Sequence, residues 1–197
     1  IEAVESGAWD VNVWPVCETF PCTEEEFRGA WEDRFTYKFV MEAYQRAVLN
    51  GKVAPGSTVA IVGAGPIGLA ALLTAQLFSP ARIIMIDLDN SRLAVARRFG
   101  ASDTINSGTR DAAAALMEMT GGRGADTVIE AVGVAATFEL CQLLVAAGGT
   151  IANVGVHGAK ADLHLERLWS HNITITTRLV DTVSTPQLLR MVEAKQL

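Results

Sequence analysis

The sequence of 197 residues lacks any long uninterrupted apolar run, because glycines, prolines or charged residues interrupt each apolar stretch every few positions. It therefore predicts no helix that spans a membrane. Basic residues are not in excess, since the net charge is -6, and this balance argues against nucleic acid as a partner. No basic segment followed by an apolar core stands at the N-terminus, so we predict no signal peptide and expect a cytoplasmic location.

Cysteine is also scarce in this sequence. The three cysteines, Cys17, Cys22 and Cys141, are too few for a disulfide framework. Cys17 and Cys22 have a spacing that would suit half of a zinc site, but no second cysteine pair or histidine cluster completes the four ligands. We therefore predict reduced thiols and no metal site, as is usual in the cytosol.

Short apolar runs alternate with helical patterns from about residue 51 onward. The predicted strands are "STVAIVGAG", "RIIMID", "DTIN", "ADTVIEAVG", "GTIANVGV" and "NITITTRLV". The predicted helices are "PIGLAALLTAQLF", "SRLAVARRFGA", "RDAAAALMEMTGG", "VAATFELCQLLVAAGG" and, after the last strand, "TPQLLRMVEAKQL". Strands and helices that alternate at this spacing predict right-handed βαβ crossovers, and hence an α/β fold with a doubly wound, mostly parallel sheet.

The first 48 residues depart from this pattern, and we predict that they form a short, largely helical N-terminal extension. They contain three of the four tryptophans and an acidic cluster at positions 24–26. "CTEEEFRGAWEDRF" predicts one helix, with Thr23 and Glu26 as a capping box, and "KFVMEAYQRAVLNG" predicts another that ends at Gly51. The α/β domain is expected to cover residues 49–197.

The stretch "GAGPIG" fits the pattern G-x-G-x-x-G, with Gly63, Gly65 and Gly68 at the glycine positions. The pattern follows a predicted strand and opens a predicted helix, which is the context that a dinucleotide-binding loop requires. Gly63 allows a tight turn, Gly65 allows backbone to approach a pyrophosphate, and Gly68 allows the helix to pack on the strand. The phosphates would then meet free N–H groups at the N-terminus of the helix.

An acidic residue, Asp87, ends the next predicted strand. A carboxylate at that place accepts hydrogen bonds from both hydroxyls of an adenosine ribose and repels a 2′-phosphate, so it favours NAD over NADP. Arg92 is five residues further on and would accommodate a phosphate, so NADP stays open as the alternative. We predict NAD as the cofactor.

Several of these motifs stand in the order of a known family. The segment "GKVAPGSTVAIVGAGPIGLAALLTAQLFSPARIIMIDLDNSRLAVARRFGA", followed by "GGRGADTVIEAVG", "LVAAGGTIANVGVHG" and "ERLWSHNITITT", resembles the cofactor-binding domain of the medium-chain dehydrogenase/reductase superfamily, and in particular of zinc-dependent alcohol dehydrogenases. The resemblance covers about three-quarters of the chain. It implies a Rossmann fold and hydride transfer between an alcohol or carbonyl compound and the nicotinamide ring.

The resemblance also implies which residues hold the cofactor. Those expected around the pyrophosphate are Gly63, Ala64, Gly65, Pro66 and Ile67, with Gly68 completing the motif. Asp87 and Arg92 would hold the adenosine ribose. Residues Ala131, Val132 and Gly133 would line the ribose and the approach to the nicotinamide, and Val154, Gly155 and Val156 would offer backbone groups to its carboxamide.

Catalytic and metal-binding residues are not predicted. Zinc-dependent members bind zinc through a Cys, a His-Glu pair and a further Cys or acid of a separate catalytic domain, and the sequence has no "GHE" motif. The remaining candidates, His157, His164 and His171, are predicted to be polar surface residues. We therefore expect the chain to be truncated before the return to the catalytic domain, and to be inactive alone, acting on a small alcohol or carbonyl substrate only with that domain supplied.

Two alternatives differ from this interpretation. One is a zinc-independent enzyme similar to quinone reductases, since the residues that would distinguish it lie in the catalytic domain. The other is a non-catalytic module that senses nucleotides or binds a partner, which the Trp-rich, acidic N-terminal extension favours. The resemblance further suggests a homo-oligomer, because the strand "NITITTRLV" is near the usual subunit edge in the family.

Overall fold

The computed structural model describes residues 47–177 together with Arg190, Met191 and Ala194. Six parallel strands form one sheet with the order β3-β2-β1-β4-β5-β6. The strands are β1 (Thr58–Val62), β2 (Arg82–Asp87), β3 (Asp103–Asn106), β4 (Ala125–Glu130), β5 (Val145–Asn153) and β6 (Thr174–Thr177). The helices are α1 (Pro66–Gln76), α2 (Asn90–Arg98), α3 (Ala112–Met119), α4 (Ala135–Leu144) and the single turn α5 (Leu165–Leu168). The predicted doubly wound α/β fold is confirmed.

Helices cover both faces of the sheet, which explains why the strands are apolar on both sides. Every residue of β1 is buried, and its side chains alternate between two cores. Val59 and Ile61 pack in the core beneath α1 and α2. Ala60 and Val62 pack in the core beneath α3 and α4 on the opposite face.

Three helices begin with residues suited to that place, and Pro66 in the first of them is as the sequence predicts. Pro66 occupies the first turn of α1, where its missing N–H is not needed. The carboxylate of Asp111 accepts hydrogen bonds from Ala113 N and Ala114 N at the start of α3, at 2.9 and 3.0 Å. Asp89 caps α2 through Ser91 N at 2.7 Å. Hydrogen bonds from Ser91, above all from its side chain and then from its backbone N–H, lower the pKa of Asp89.

One predicted boundary is wrong. The sequence pattern extends the fourth helix through "VAAGG", but α4 ends at Leu144 and β5 begins directly at Val145. Val145 adopts extended backbone angles and pairs with Ala125, and the register between β4 and β5 shifts immediately afterwards. The segment is apolar in either conformation, and pairing with β4 decides in favour of the strand. The turn α5 was not among the predicted helices.

Several predictions fall outside the described residues. They concern the helix over residues 22–35 with its capping box, Cys17 and Cys22, and most of the final helix after Thr185. The second predicted N-terminal helix is described only from residue 47, and residues 47–50 are helical. The predicted domain boundary near residue 48 stays a prediction. In the part of the chain that the structure describes, no helix has the length and apolar character that crossing a membrane requires.

Candidate nucleotide-binding site

The predicted site residues come together at one edge of the sheet, where the parallel strands have their carboxyl ends. The glycine-rich loop follows β1, and Asp87 ends β2. Residues 131–134 follow β4 and are called the EAVG loop after the letters of residues 130–133, although Glu130 itself ends the strand. The VGV loop (residues 154–157) follows β5. The chain winds outward in opposite directions from β1 and β4, which are neighbours in the sheet. Such a switch point leaves a crevice outside the strand ends, and ligands of doubly wound proteins bind in it.

The three glycines of the loop occupy different environments. Gly63 has φ +103°, a conformation that side chains rarely allow, and it turns the chain out of β1. A methyl group on Gly68 would collide with the carbonyl oxygen of Gly63, so only glycine lets α1 begin this close to the strand. A methyl group on Gly65 would meet no heavy atom within 4 Å. The space above Gly65 is therefore open.

The N-terminus of α1 faces this open space. Gly65 is the N-cap residue, and no side chain caps the helix. The first N–H groups of an α-helix have no partner inside the helix, and the helix dipole makes this end positive. The backbone at Gly65, Pro66 and Ile67 thus suits an anionic ligand, whereas the N–H of Ala64 is donated to Asp87.

Asp87 contacts the loop from the neighbouring strand. Its Oδ2 accepts a hydrogen bond from Ala64 N at 2.6 Å, and its Oδ1 accepts one from Asp89 N at 2.9 Å. The side chain therefore has a structural function that the sequence analysis did not predict, because it holds the glycine-rich loop. Arg92 lies exposed in the first turn of α2.

The two loops beyond β4 and β5 complete the crevice on its other side. Ala131 N donates to Val62 O at 2.9 Å, which ties the EAVG loop to the end of β1. Val132 has 46% of its surface exposed and Val156 has 84%, although both are apolar. Both loops therefore present an apolar side chain to solvent near the site. Of the other predicted residues in these loops, Gly133 and Gly155 are buried and Val154 is half-buried.

Sequence reasoning missed Glu130, the last residue of β4. Glu130 is fully buried and accepts hydrogen bonds from Val132 N and Gly133 N at 3.0 and 2.9 Å, and from Thr137 Oγ1 at 2.6 Å. An acidic residue directly after the apolar run "TVI" is the signal that would have found it, because a carboxylate at a buried strand end needs partners.

The prediction for the histidines is wrong for His157. Its side chain is only 19% exposed, and Nε2 lies 2.9 Å from Asn153 Oδ1 and 3.4 Å from Glu130 Oε2. His164 contacts Glu166 through Nδ1 at 3.0 Å, and His171 is exposed. Within residues 47–177 and the three further described positions, no group of three or more His, Cys, Asp or Glu side chains could hold a metal ion. The described residues therefore do not fit a zinc ion.

A doubly wound parallel sheet, a glycine-rich loop before a helix, and an acid at the end of the second strand define a nucleotide-binding domain of the Rossmann type. A family model described as zinc-binding dehydrogenase matches residues 66–194. The chain belongs to this family, the nucleotide-binding domain of zinc-type medium-chain alcohol dehydrogenases, and the predicted resemblance is confirmed.

Individual relatives agree with the family match. An alcohol dehydrogenase from Cupriavidus necator is 37% identical over 126 residues, covering 64% of this chain and 34% of the relative. A sorbitol dehydrogenase from Bacillus subtilis is 38% identical over 110 residues, covering 56% of this chain and 31% of the relative. The chain thus spans about a third of the length of these two relatives.

Solved structures show the same partial coverage. The zinc-dependent alcohol dehydrogenase 2 from Streptococcus pneumonia, in its apo form, has a TM-score of 0.78 and 49% identity, covering 81% of this chain and 47% of that one. A Sinorhizobium meliloti structure described as a zinc-binding dehydrogenase bound to NADP has a TM-score of 0.76 and 23% identity, covering 82% of this chain and 48% of that one. At 23% identity, the Sinorhizobium meliloti structure shows similarity of fold alone.

Proposed function

We propose that the chain binds NAD(H) at the carboxyl edge of the sheet and is the cofactor-binding part of an alcohol dehydrogenase-like oxidoreductase. The observation that carries this proposal is the open space above Gly65, directly at the uncapped N-terminus of α1. A pyrophosphate there would accept hydrogen bonds from the first-turn N–H groups and meet the positive end of the helix dipole. Family membership supports the same assignment.

The position of Asp87 orients the dinucleotide. Its carboxylate lies at the end of β2, on one side of the glycine-rich loop, so the adenosine ribose would bind on that side. The pyrophosphate would cross above Gly65, and the nicotinamide half would then extend over the ends of β4 and β5. There the EAVG and VGV loops would line the nicotinamide, and exposed Val132 and Val156 would shield the ring from water.

The preference for NAD over NADP rests on charge. A 2′-phosphate would lie beside the carboxylate of Asp87, which is already bound to Ala64 N and so cannot easily turn away. Arg92 is exposed on α2 and offers a positive charge nearby, which supports NADP as the alternative. A solved structure with the same fold is described with NADP bound, so NADP is a cofactor that this fold can hold. We favour NAD because of the fixed carboxylate.

The bound cofactor would supply a hydride acceptor or donor at the nicotinamide ring. This chain's own residues would bind it, orient the ring and exclude water from one of its faces. Zinc and the substrate pocket belong in the family to a part that the described residues do not contain, so we expect no turnover of simple alcohols by this chain alone. The cytoplasmic location and the homo-oligomer stay predictions.

Calorimetric titration of the chain with NADH tests the proposal, with NADPH titrated in parallel. We expect a saturable binding curve with one NADH per chain and a weaker curve for NADPH. ATP serves as the control nucleotide, because it carries phosphates and adenosine but no nicotinamide half. The absence of saturable heat at millimolar NADH would contradict the proposed function.

A further inference from the structure

Glu130 holds both loops of the crevice with two different groups. Its buried carboxylate accepts the N–H groups of Val132 and Gly133, at 3.0 and 2.9 Å, and so fixes the EAVG loop. Its backbone carbonyl oxygen accepts the N–H groups of Val154 and Gly155, at 2.9 and 3.0 Å, and so fixes the VGV loop. Glu130 is therefore bonded to both loops at once.

The packing between the loops leaves little room for adjustment. A methyl group on Gly155 would collide with the carboxylate of Glu130 and with Gly133 N. A methyl group on Gly133 would lie 2.5–2.7 Å from backbone atoms of Val156. Because the loops touch through backbone atoms, a shift of one loop must displace the other.

A second group of side chains encloses the carboxylate. Thr137, in the first turns of α4, places its hydroxyl oxygen 2.6 Å from Glu130 Oε1. His157 Nε2 lies 2.9 Å from Asn153 Oδ1 and 3.4 Å from Glu130 Oε2, and both neighbours are acceptors, so Nε2 carries the hydrogen. Asn153 Nδ2 donates to Gly155 O at 3.0 Å, which fixes the orientation of its amide. Phe138 meets the His157 ring edge-on.

A buried carboxylate is costly unless donors compensate it, and hydrogen bonds to a charged acceptor are stronger than those between neutral groups. Here the donors come from the EAVG loop and α4, while His157 Nε2 of the VGV loop approaches to 3.4 Å and is hydrogen-bonded to Asn153 Oδ1. We propose that Glu130 is a positioning residue that sets the distance between the EAVG and VGV loops, and thereby the affinity for the nicotinamide half of the dinucleotide rather than for the adenosine half. This inference rests on the proposed function.

The test compares two ligands on the full chain. NADH contacts both sides of the crevice, whereas ADP-ribose has the adenosine and pyrophosphate but no nicotinamide. Glu130→Gln keeps the size of the side chain and removes its charge. We expect it to raise the dissociation constant for NADH by about tenfold, because weakened charged hydrogen bonds let the loops separate, and that for ADP-ribose by less than about twofold.

Two further variants separate positioning from a general loss of stability. Thr137→Val removes one donor from the carboxylate with little change in shape, and we expect a smaller change in the same direction. Asp126→Asn is the matched control, because the Asp126 carboxylate also accepts a backbone N–H, from Thr58 at 2.8 Å, but lies at the opposite end of β4. We expect Asp126→Asn to leave the ratio of the two dissociation constants unchanged.

Hydrogen exchange provides a readout that needs no ligand. Glu130→Gln should speed the exchange of the Val132 and Gly133 amides, which bond to the side chain. The acceptor of Val154 N and Gly155 N is the Glu130 backbone carbonyl, which the substitution keeps, so their exchange should rise as well only because the two loops touch through backbone atoms. Asp126→Asn should change none of the four. Faster exchange in the EAVG loop alone would overturn the proposal, and so would equal losses of affinity for NADH and ADP-ribose in Glu130→Gln. If the wild-type chain binds neither ligand, the proposed function fails along with this inference; if it binds both and the ratio does not move, only this inference fails.

Discussion

Gly65 and Gly68 belong to the same loop, but substitution by alanine should affect different properties. At Gly68 it should lower the stability of the domain, and at Gly65 it should lower the affinity for NADH. In Gly68→Ala the new methyl group would collide with Gly63 O, a backbone atom that cannot rotate away. Overpacking of this kind costs up to about 3 kcal/mol, and the better helix propensity of alanine returns about 1 kcal/mol. A net loss of about 2 kcal/mol lowers Tm by about 4–8 °C in a domain of this size.

In Gly65→Ala the methyl group meets no heavy atom of the chain within 4 Å, and φ of -72° is open to alanine. Alanine is a poorer N-cap than glycine, so we expect a loss of about 1 kcal/mol or less. The methyl group would occupy the space proposed for the pyrophosphate, so NADH affinity should fall by about tenfold or more. Each variant is the control for the other.

Thermal unfolding followed by circular dichroism and titration with NADH measure the two effects separately. The expected pattern is a large change in Tm with Gly68→Ala and a large change in affinity at nearly constant Tm with Gly65→Ala. Equal Tm values for the two variants would refute the close contact between α1 and β1. Wild-type affinity in Gly65→Ala would show that no phosphate lies above that residue.

Three other predictions concern single side chains. Asp87→Ala should weaken NADH binding and reduce the preference against NADPH in parallel titrations, and an unchanged ratio would restrict Asp87 to holding Ala64 N. Asp111→Ala should lower Tm by about 2–4 °C through the loss of the α3 cap. Asp111→Asn should retain most of the stability that the cap provides, because asparagine is also a good N-cap. Burial, with a smaller contribution from the charge of Glu130, raises the pKa of the Cys141 thiol. In a chain with Cys17 and Cys22 replaced by serine, we therefore expect no reaction with Ellman's reagent at pH 8 until urea unfolds the domain. Reaction in native buffer would contradict the burial of this thiol.

The strands and the glycine-rich loop were predictable because their signals are local. An apolar run bounded by glycine, as at β1, describes a buried strand without reference to any other segment. The end of α4 was not predictable, because "LLVAAGG" is compatible with a helix and only its pairing with β4 selects the strand. The cluster around Glu130 was missed although Val132, Gly133 and Thr137 follow within seven residues, because nothing in the sequence says that Glu130 is buried. Its contact with His157 is remote in the sequence and depends on the pairing of β4 with β5.

The strand order has a consequence for how the domain holds together. Strands β3, β2 and β1 form one half of the sheet and β4, β5 and β6 the other, and within the sheet the halves join along the β1–β4 seam. The proposed dinucleotide would lie across this seam, with adenosine on one half and nicotinamide on the other. The cofactor would then act as a non-covalent bridge between two three-stranded units, and at a concentration of 100 times its dissociation constant it would stabilise the joined state by about 2.7 kcal/mol. A bound cofactor would therefore oppose any separation of the two halves along this seam.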